Sequence, residues 1–110
     1  MQDLVLYSKT EQLYFTIYPR LKNFPRAEKY GLCLQIKDHF TELLKRISMA
    51  ASVKSKRRTY LQEADGYLQG IKMLIKLSAH NKYISQGMHE RISVSLTEIN
   101  RLLVGFIKSS

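Results

Sequence analysis

A chain of 110 residues with 45% hydrophobic content and a mean hydropathy of -0.26 has the material for one domain around one core. These bounds exclude a disordered chain, and no apolar run approaches the ~20 residues of a membrane-spanning helix. Lysine and arginine outnumber acids 18 to 9, and the formal charge of +9 points to a polyanion or an acidic partner, or else to a merely solubilising surface. The start, Met-Gln-Asp-Leu, has no basic region followed by an apolar stretch, and the single cysteine, Cys33, allows no internal disulfide. A cytoplasmic location is the expectation.

The first segment places Leu6, Leu13, Ile17, Leu21 and Phe24 on one side of a 3.6-residue helix. Ser8-Lys9-Thr10-Glu11 fits a capping box, so a helix is expected over 8–23, with 1–7 as an arm. Pro19 removes one backbone donor and predicts a kink, whereas Pro25 suits the first turn of the next helix. The second segment, 26–51, carries a long stripe of Leu32, Cys33, Ile36, Phe40, Leu43, Leu44, Ile47, Ala50 and Ala51. After the polar break Ser52-Val53-Lys54-Ser55, a third helix over 56–80 aligns Tyr60, Leu61, Ala64, Tyr67, Leu68, Ile71, Leu74, Ile75 and Ser78. Ser85 is a candidate N-cap for the last helix, 85–108, where Met88, Ile92, Leu96, Ile99, Leu103 and Phe106 recur at spacings of three and four. Four amphipathic segments with short connections and no proline after Pro25 predict an all-α, up-and-down antiparallel four-helix bundle in a single domain, 1–110.

A second stripe on the third helix, Gly66, Gly70, Met73 and Leu77, stands away from its core face. Glycine inside a helix costs about 1 kcal/mol against alanine. Two of them four residues apart suggest a close subunit contact, or else a widened intramolecular core. Phe15 and Leu34 also point away from their helices' main faces and join the candidate oligomer interface.

The residues offer little for catalysis. His39, His80 and His89 are scattered, no Glu-x-x-His occurs, and His39–Glu42 is only the reversed order, so no metal site is expected. Asp38 and Glu42 are followed by Lys45 and Arg46, which an ion-pair ladder explains better than acid–base chemistry. No Gly-rich phosphate loop or nucleophile elbow appears, and a buried Cys33 would be inert. Neither an enzyme, a cofactor nor a small-molecule substrate is expected. The informative feature is the join of helices two and three. Lys45, Arg46, Lys54, Lys56, Arg57 and Arg58 follow one another with no acid between Glu42 and Glu63, and Lys72 and Lys76 extend the charge along the third helix. Such a stripe suits successive phosphates, and with no base-reading motif any binding is expected to be backbone-directed. The competing reading is an ordinary solvated helix end.

The order Phe24-Pro25, Leu32 to Phe40, Leu61-x-x-Ala64 and Ile99-Asn100-Arg101-Leu102-Leu103-Val104-Gly105-Phe106-Ile107-Lys108-Ser109 resembles the accessory variability determinant proteins of diversity-generating retroelements. These are related to four-helix proteins encoded in ribosomal RNA intervening sequences. The resemblance runs from Leu4 to Ser109, with two departures. Val104-Gly105-Phe106 stands where the family often has Gly-Gly-Trp, and Lys76 where it often has arginine. The resemblance implies a homopentameric barrel of bundles that works with a reverse transcriptase and its structured RNA without catalysing a reaction. The alternative is a scaffolding oligomer that binds an acidic protein partner and no nucleic acid.

Overall fold

The computed structural model describes residues 2–110, with side chains from Leu4 onward. Among them lie four α-helices and no strand: α1 (Gln2–Ile17), α2 (Leu32–Ser52), α3 (Arg57–His80) and α4 (Gln86–Ser109). Neighbouring helices run antiparallel, α1 packs on α2 and α4, and α3 packs on α2 and α4. The bundle measures 43 × 25 × 18 Å. The α1–α2 and α3–α4 connections share one end; the α2–α3 turn and the C-terminus share the other.

The core follows the helical spacing. Leu6, Leu13, Ile17, Ile36, Phe40, Leu43, Leu61, Leu68, Ile71, Ile92, Leu96, Ile99 and Leu103 are all buried in one cluster. Leu44 and Ala51 lie at its margin rather than within it, and Tyr60 and Tyr67 pack against it from outside. Phe40 is anchored further by the Tyr14 ring, stacked at 4.8 Å with an interplanar angle of 4°, a contact worth about 0.5–1.5 kcal/mol beyond burial. The two buried hydroxyls cost little, because Thr10 donates to the Leu6 carbonyl and Ser78 to the Leu74 carbonyl, both at 2.8 Å.

The boundaries of the first two helices differ from the sequence expectation. The first helix begins at Gln2, not near Ser8, so Ser8 and Glu11 sit inside it and form no capping box. The reason is Leu6: it is fully buried two turns before Leu13 on the same side of the helix, and its burial draws the supposed arm into the helix. Pro19 acts as expected in kind. The α-helix stops at Ile17 and continues as a 3-10 helix over Tyr18–Asn23, a tighter winding that accepts proline at its start. Pro25 caps a single 3-10 turn, Arg26–Glu28, its carbonyl accepting the Glu28 amide at 2.9 Å, and α2 proper starts only at Leu32. The Ser85 hydroxyl does cap α4, accepting the Met88 amide at 3.0 Å.

Candidate nucleic-acid or partner interface

The α2–α3 turn concentrates charge because it is short and has no acid. Lys54–Lys56 form one 3-10 turn that leads directly into α3 at Arg57. Lys54 and Lys56 are exposed and, among the described residues, enter no ion pair or side-chain hydrogen bond. Arg57 is half-buried, its guanidinium 5.9 Å from the Phe106 ring. Arg58 reaches across to the end of α4, where its Nη1 donates to the Ser110 carbonyl at 3.4 Å. The Lys54–Arg58 cluster therefore wraps the end of the bundle together with the C-terminus.

The other four candidate residues are not continuous with this cluster. Arg46 is locked between two acids: Nη1 donates to Glu42 Oε1 at 2.7 Å, and Nε donates to Glu63 Oε1 on α3 at 2.8 Å. Its guanidinium also faces the Tyr67 ring at 5.4 Å. The bond to Glu63, then burial and the bond to Glu42, act on Arg46, and the net effect holds it more firmly protonated. Lys45 pairs with Glu42 at 3.3 Å, and Lys45 foremost, with Arg46, keeps the Glu42 carboxyl below the usual carboxylate range. This is the ion-pair ladder expected from the spacing, extended by a cross-helix rung to Glu63. Lys72 donates to Asn100 Oδ1 at 3.0 Å in the α3–α4 groove. Lys76 lines the same groove with His89, Ser93 and Thr97. At 1.5 Å per residue, Arg58 and Lys76 are about 27 Å apart along α3. Asp65 interrupts the line between them, accepting from Gln69 at 3.0 Å.

The proposed contact stripe also divides. A Cβ on Gly66 would meet nothing within 4 Å, whereas on Gly70 it would lie 2.5 Å from His39 Cδ2 and 2.6 Å from Nε2. Gly70 is thus a seat for the His39 ring, whose Nδ1 is 2.8 Å from the Gln35 carbonyl and whose edge meets Tyr67 at 5.7 Å between centroids. One glycine serves packing inside the chain, so the stripe is not a uniform groove for another backbone. His39 opposite Gly70 sets the register of α2 on α3. That register places Leu34 at the level of Met73 and Leu77, all three exposed. Phe15 belongs to a different surface, an apolar pocket of about 290 Å³ with Tyr14, Tyr18 and Pro19.

Cys33 is buried, its thiol donating to the Leu21 carbonyl at 3.6 Å, and burial pushes its pKa up. Among the described residues no group of three His, Cys, Asp or Glu is arranged to hold a metal ion, and no helix is long and apolar enough to cross a membrane.

The architecture is thus an all-helical bundle with a charged turn at one end. The bAvd-like family model matches residues 4–110, and the chain belongs to that family, the bacterial accessory variability determinants. Its fold is similar to that of a protein of unknown function from the S23 ribosomal protein family of Bacteroides thetaiotaomicron VPI-5482, with a TM-score of 0.86 at 24% identity, over 98% of this chain and 99% of that one. No curated protein matches the sequence.

Proposed function

We propose that the protein is a non-catalytic, cytoplasmic accessory factor of a diversity-generating retroelement. In this reading it binds the element's reverse transcriptase and structured RNA, and assembles as a homo-oligomer, a pentamer in the form the family resemblance implies. The observation that carries the reading is the family match over residues 4–110. The basic end at Lys54–Arg58 supplies the chemistry, since lysine and arginine neutralise phosphates independently of sequence. The exposed level of Leu34, Met73 and Leu77 supplies an apolar face for a neighbouring copy. A fivefold ring needs two different patches to meet, and the separate Phe15 surface offers the second.

The test is Arg57→Glu/Arg58→Glu, measured for both RNA and polymerase binding across a salt series. Loss of RNA binding, with a flatter salt slope, supports phosphate contacts at this end. Loss of polymerase binding alone reassigns the end to the protein partner. If neither changes, the end is a solvated turn and the site assignment fails. Light scattering that reports a monomer at micromolar concentration refutes the assembly.

A further inference from the structure

Among the described residues, a second group of cations without ion pairs lies at the opposite end of the bundle from the α2–α3 turn. The α1–α2 connection folds into a pocket of about 420 Å³, lined by Tyr18, Leu21, Lys22, Phe24, Pro25, Arg26, Lys29, Cys33 and Lys37. Four of those residues are cationic and none is acidic. The volume lies within the ~300–1,000 Å³ of small-ligand sites.

Its charges are available. Among the described residues, the side chains of Lys22, Arg26, Lys29 and Lys37 make no ion pair and no hydrogen bond. Glu28, the one acid between Glu11 and Asp38, is occupied elsewhere: Oε2 accepts from the Tyr83 hydroxyl at 3.1 Å and Oε1 from the Leu32 amide at 3.4 Å. The pocket wall also includes Cys33 in the first turn of α2. The floor is apolar and fixed, made by buried Leu21, Phe24 and Cys33.

Two aromatic rings stand beside the charges. Tyr18 is half exposed, with the Lys37 ammonium 5.1 Å from its centroid. Tyr30 is 80% exposed, with Lys29 at 5.4 Å. Exposed tyrosines interleaved with unpaired lysines suit a nucleotide, whose phosphate takes the cations and whose base takes a ring face.

We propose that this corner is a nucleotide-phosphate site, for the chemistry shared by a free nucleotide and a single nucleic-acid strand. The strand as source rests on the proposed function above; the phosphate chemistry rests on the pocket alone. The site is separate from the Lys54–Arg58 end.

The experiment uses the full chain, a labelled short oligouridylate read by fluorescence anisotropy, and UMP and inorganic phosphate as competitors. Lys29→Ala/Lys37→Ala is expected to weaken oligouridylate binding about tenfold. It should also reduce the log–log salt slope by roughly 1.4, at ~0.7 per lost phosphate contact to a single strand. UMP is expected to displace the strand at clearly lower concentration than phosphate. UMP binding without strand binding, abolished in the double variant, supports the pocket with a free nucleotide as its source and overturns the nucleic-acid reading. Unchanged affinity and slope in Lys29→Ala/Lys37→Ala, with a loss in Arg57→Glu/Arg58→Glu, leaves the proposed function standing and overturns the pocket. Equal displacement by UMP and phosphate overturns it as well.

Discussion

Two glycines on one helix stripe, Gly66 and Gly70, should respond oppositely to the same methyl group. Alanine in a helix interior is favoured over glycine by about 1 kcal/mol. At Gly66 the new Cβ meets nothing within 4 Å, so the whole gain is realised. At Gly70 it would sit 2.5 Å from the His39 ring, well inside contact distance, and the ring must leave. His39 then loses the hydrogen bond between Nδ1 and Gln35, worth about 1 kcal/mol net, and its edge contact with Tyr67, worth about 1 kcal/mol. Gly66→Ala is therefore expected to stabilise by about 1 kcal/mol and Gly70→Ala to destabilise by about 1 kcal/mol. For a domain of this size the two variants should differ by roughly 8 °C in melting temperature, at ~4 °C per kcal/mol. Scanning calorimetry of both, each with and without His39→Ala, measures the coupling directly. In the His39→Ala background Gly70→Ala should recover the stabilisation seen at Gly66. Equal stabilisation by both glycine changes in the wild-type background would refute the assignment of Gly70 as the His39 seat. Light scattering on the same samples reports the interface: a more stable chain that no longer assembles places Gly66 between subunits.

Ser85→Ala removes the acceptor for the Met88 amide and should cost about 1 kcal/mol, read as a lower urea midpoint with unchanged slope. Glu98 is held below the usual carboxylate range chiefly by the Lys9 ammonium, 2.7 Å away, which bridges α1 and α4. A depressed folded pKa means the pair stabilises fully above the ordinary glutamate value of ~4.3 and fades as pH falls through the folded value. Glu98→Gln should then lower stability at pH 7 but not once the carboxylate is protonated in strong acid, and raised salt should shrink the difference. A loss of equal size at both pH values would refute the ion pair's role.

The fold was legible because the apolar spacing is consistent from Leu6 to Phe106, and almost every residue of each stripe is buried. The first helix start was misread because a local signal, Ser8 with Glu11, competed with a tertiary one, the burial of Leu6. Propensity and capping act within one turn, whereas burial is decided by the helices that cover it. The candidate site was legible in part. The absence of acids at the α2–α3 turn is visible in the sequence, but the pairing of Arg46 with Glu63 joins residues seventeen apart and needs the fold. The α1–α2 pocket did leave a signal: Arg20, Lys22, Arg26, Lys29 and Lys37 occur with one acid, Glu28. Its density is lower than at the α2–α3 turn, and only the structure turns Glu28 towards Tyr83 and out of the pocket.

The charge that matters for recognition is therefore the unpaired charge, and its distribution is uneven. On the flanks, Lys9 is held by Glu98, Lys45 and Arg46 by Glu42 and Glu63, and Lys72 by Asn100, whereas Lys76, Arg91 and Arg101 enter no ion pair or side-chain hydrogen bond among the described residues. At the two ends of a bundle 43 Å long, Lys54 and Lys56 on one side and Lys22, Arg26, Lys29 and Lys37 on the other make no ion pair or side-chain hydrogen bond among the described residues, Lys29 and Lys37 facing only tyrosine rings. The physiological screening length is about 8 Å, so the two ends do not sense each other through solvent. A ligand too short to span the bundle must treat them as independent sites, with mutational effects that add. A strand long enough to touch both gains effective concentration at the second end once the first is bound, and its losses exceed the sum. Under the proposed function, a structured RNA that reaches both ends is expected to show this second behaviour. A simple basic patch gives only the first.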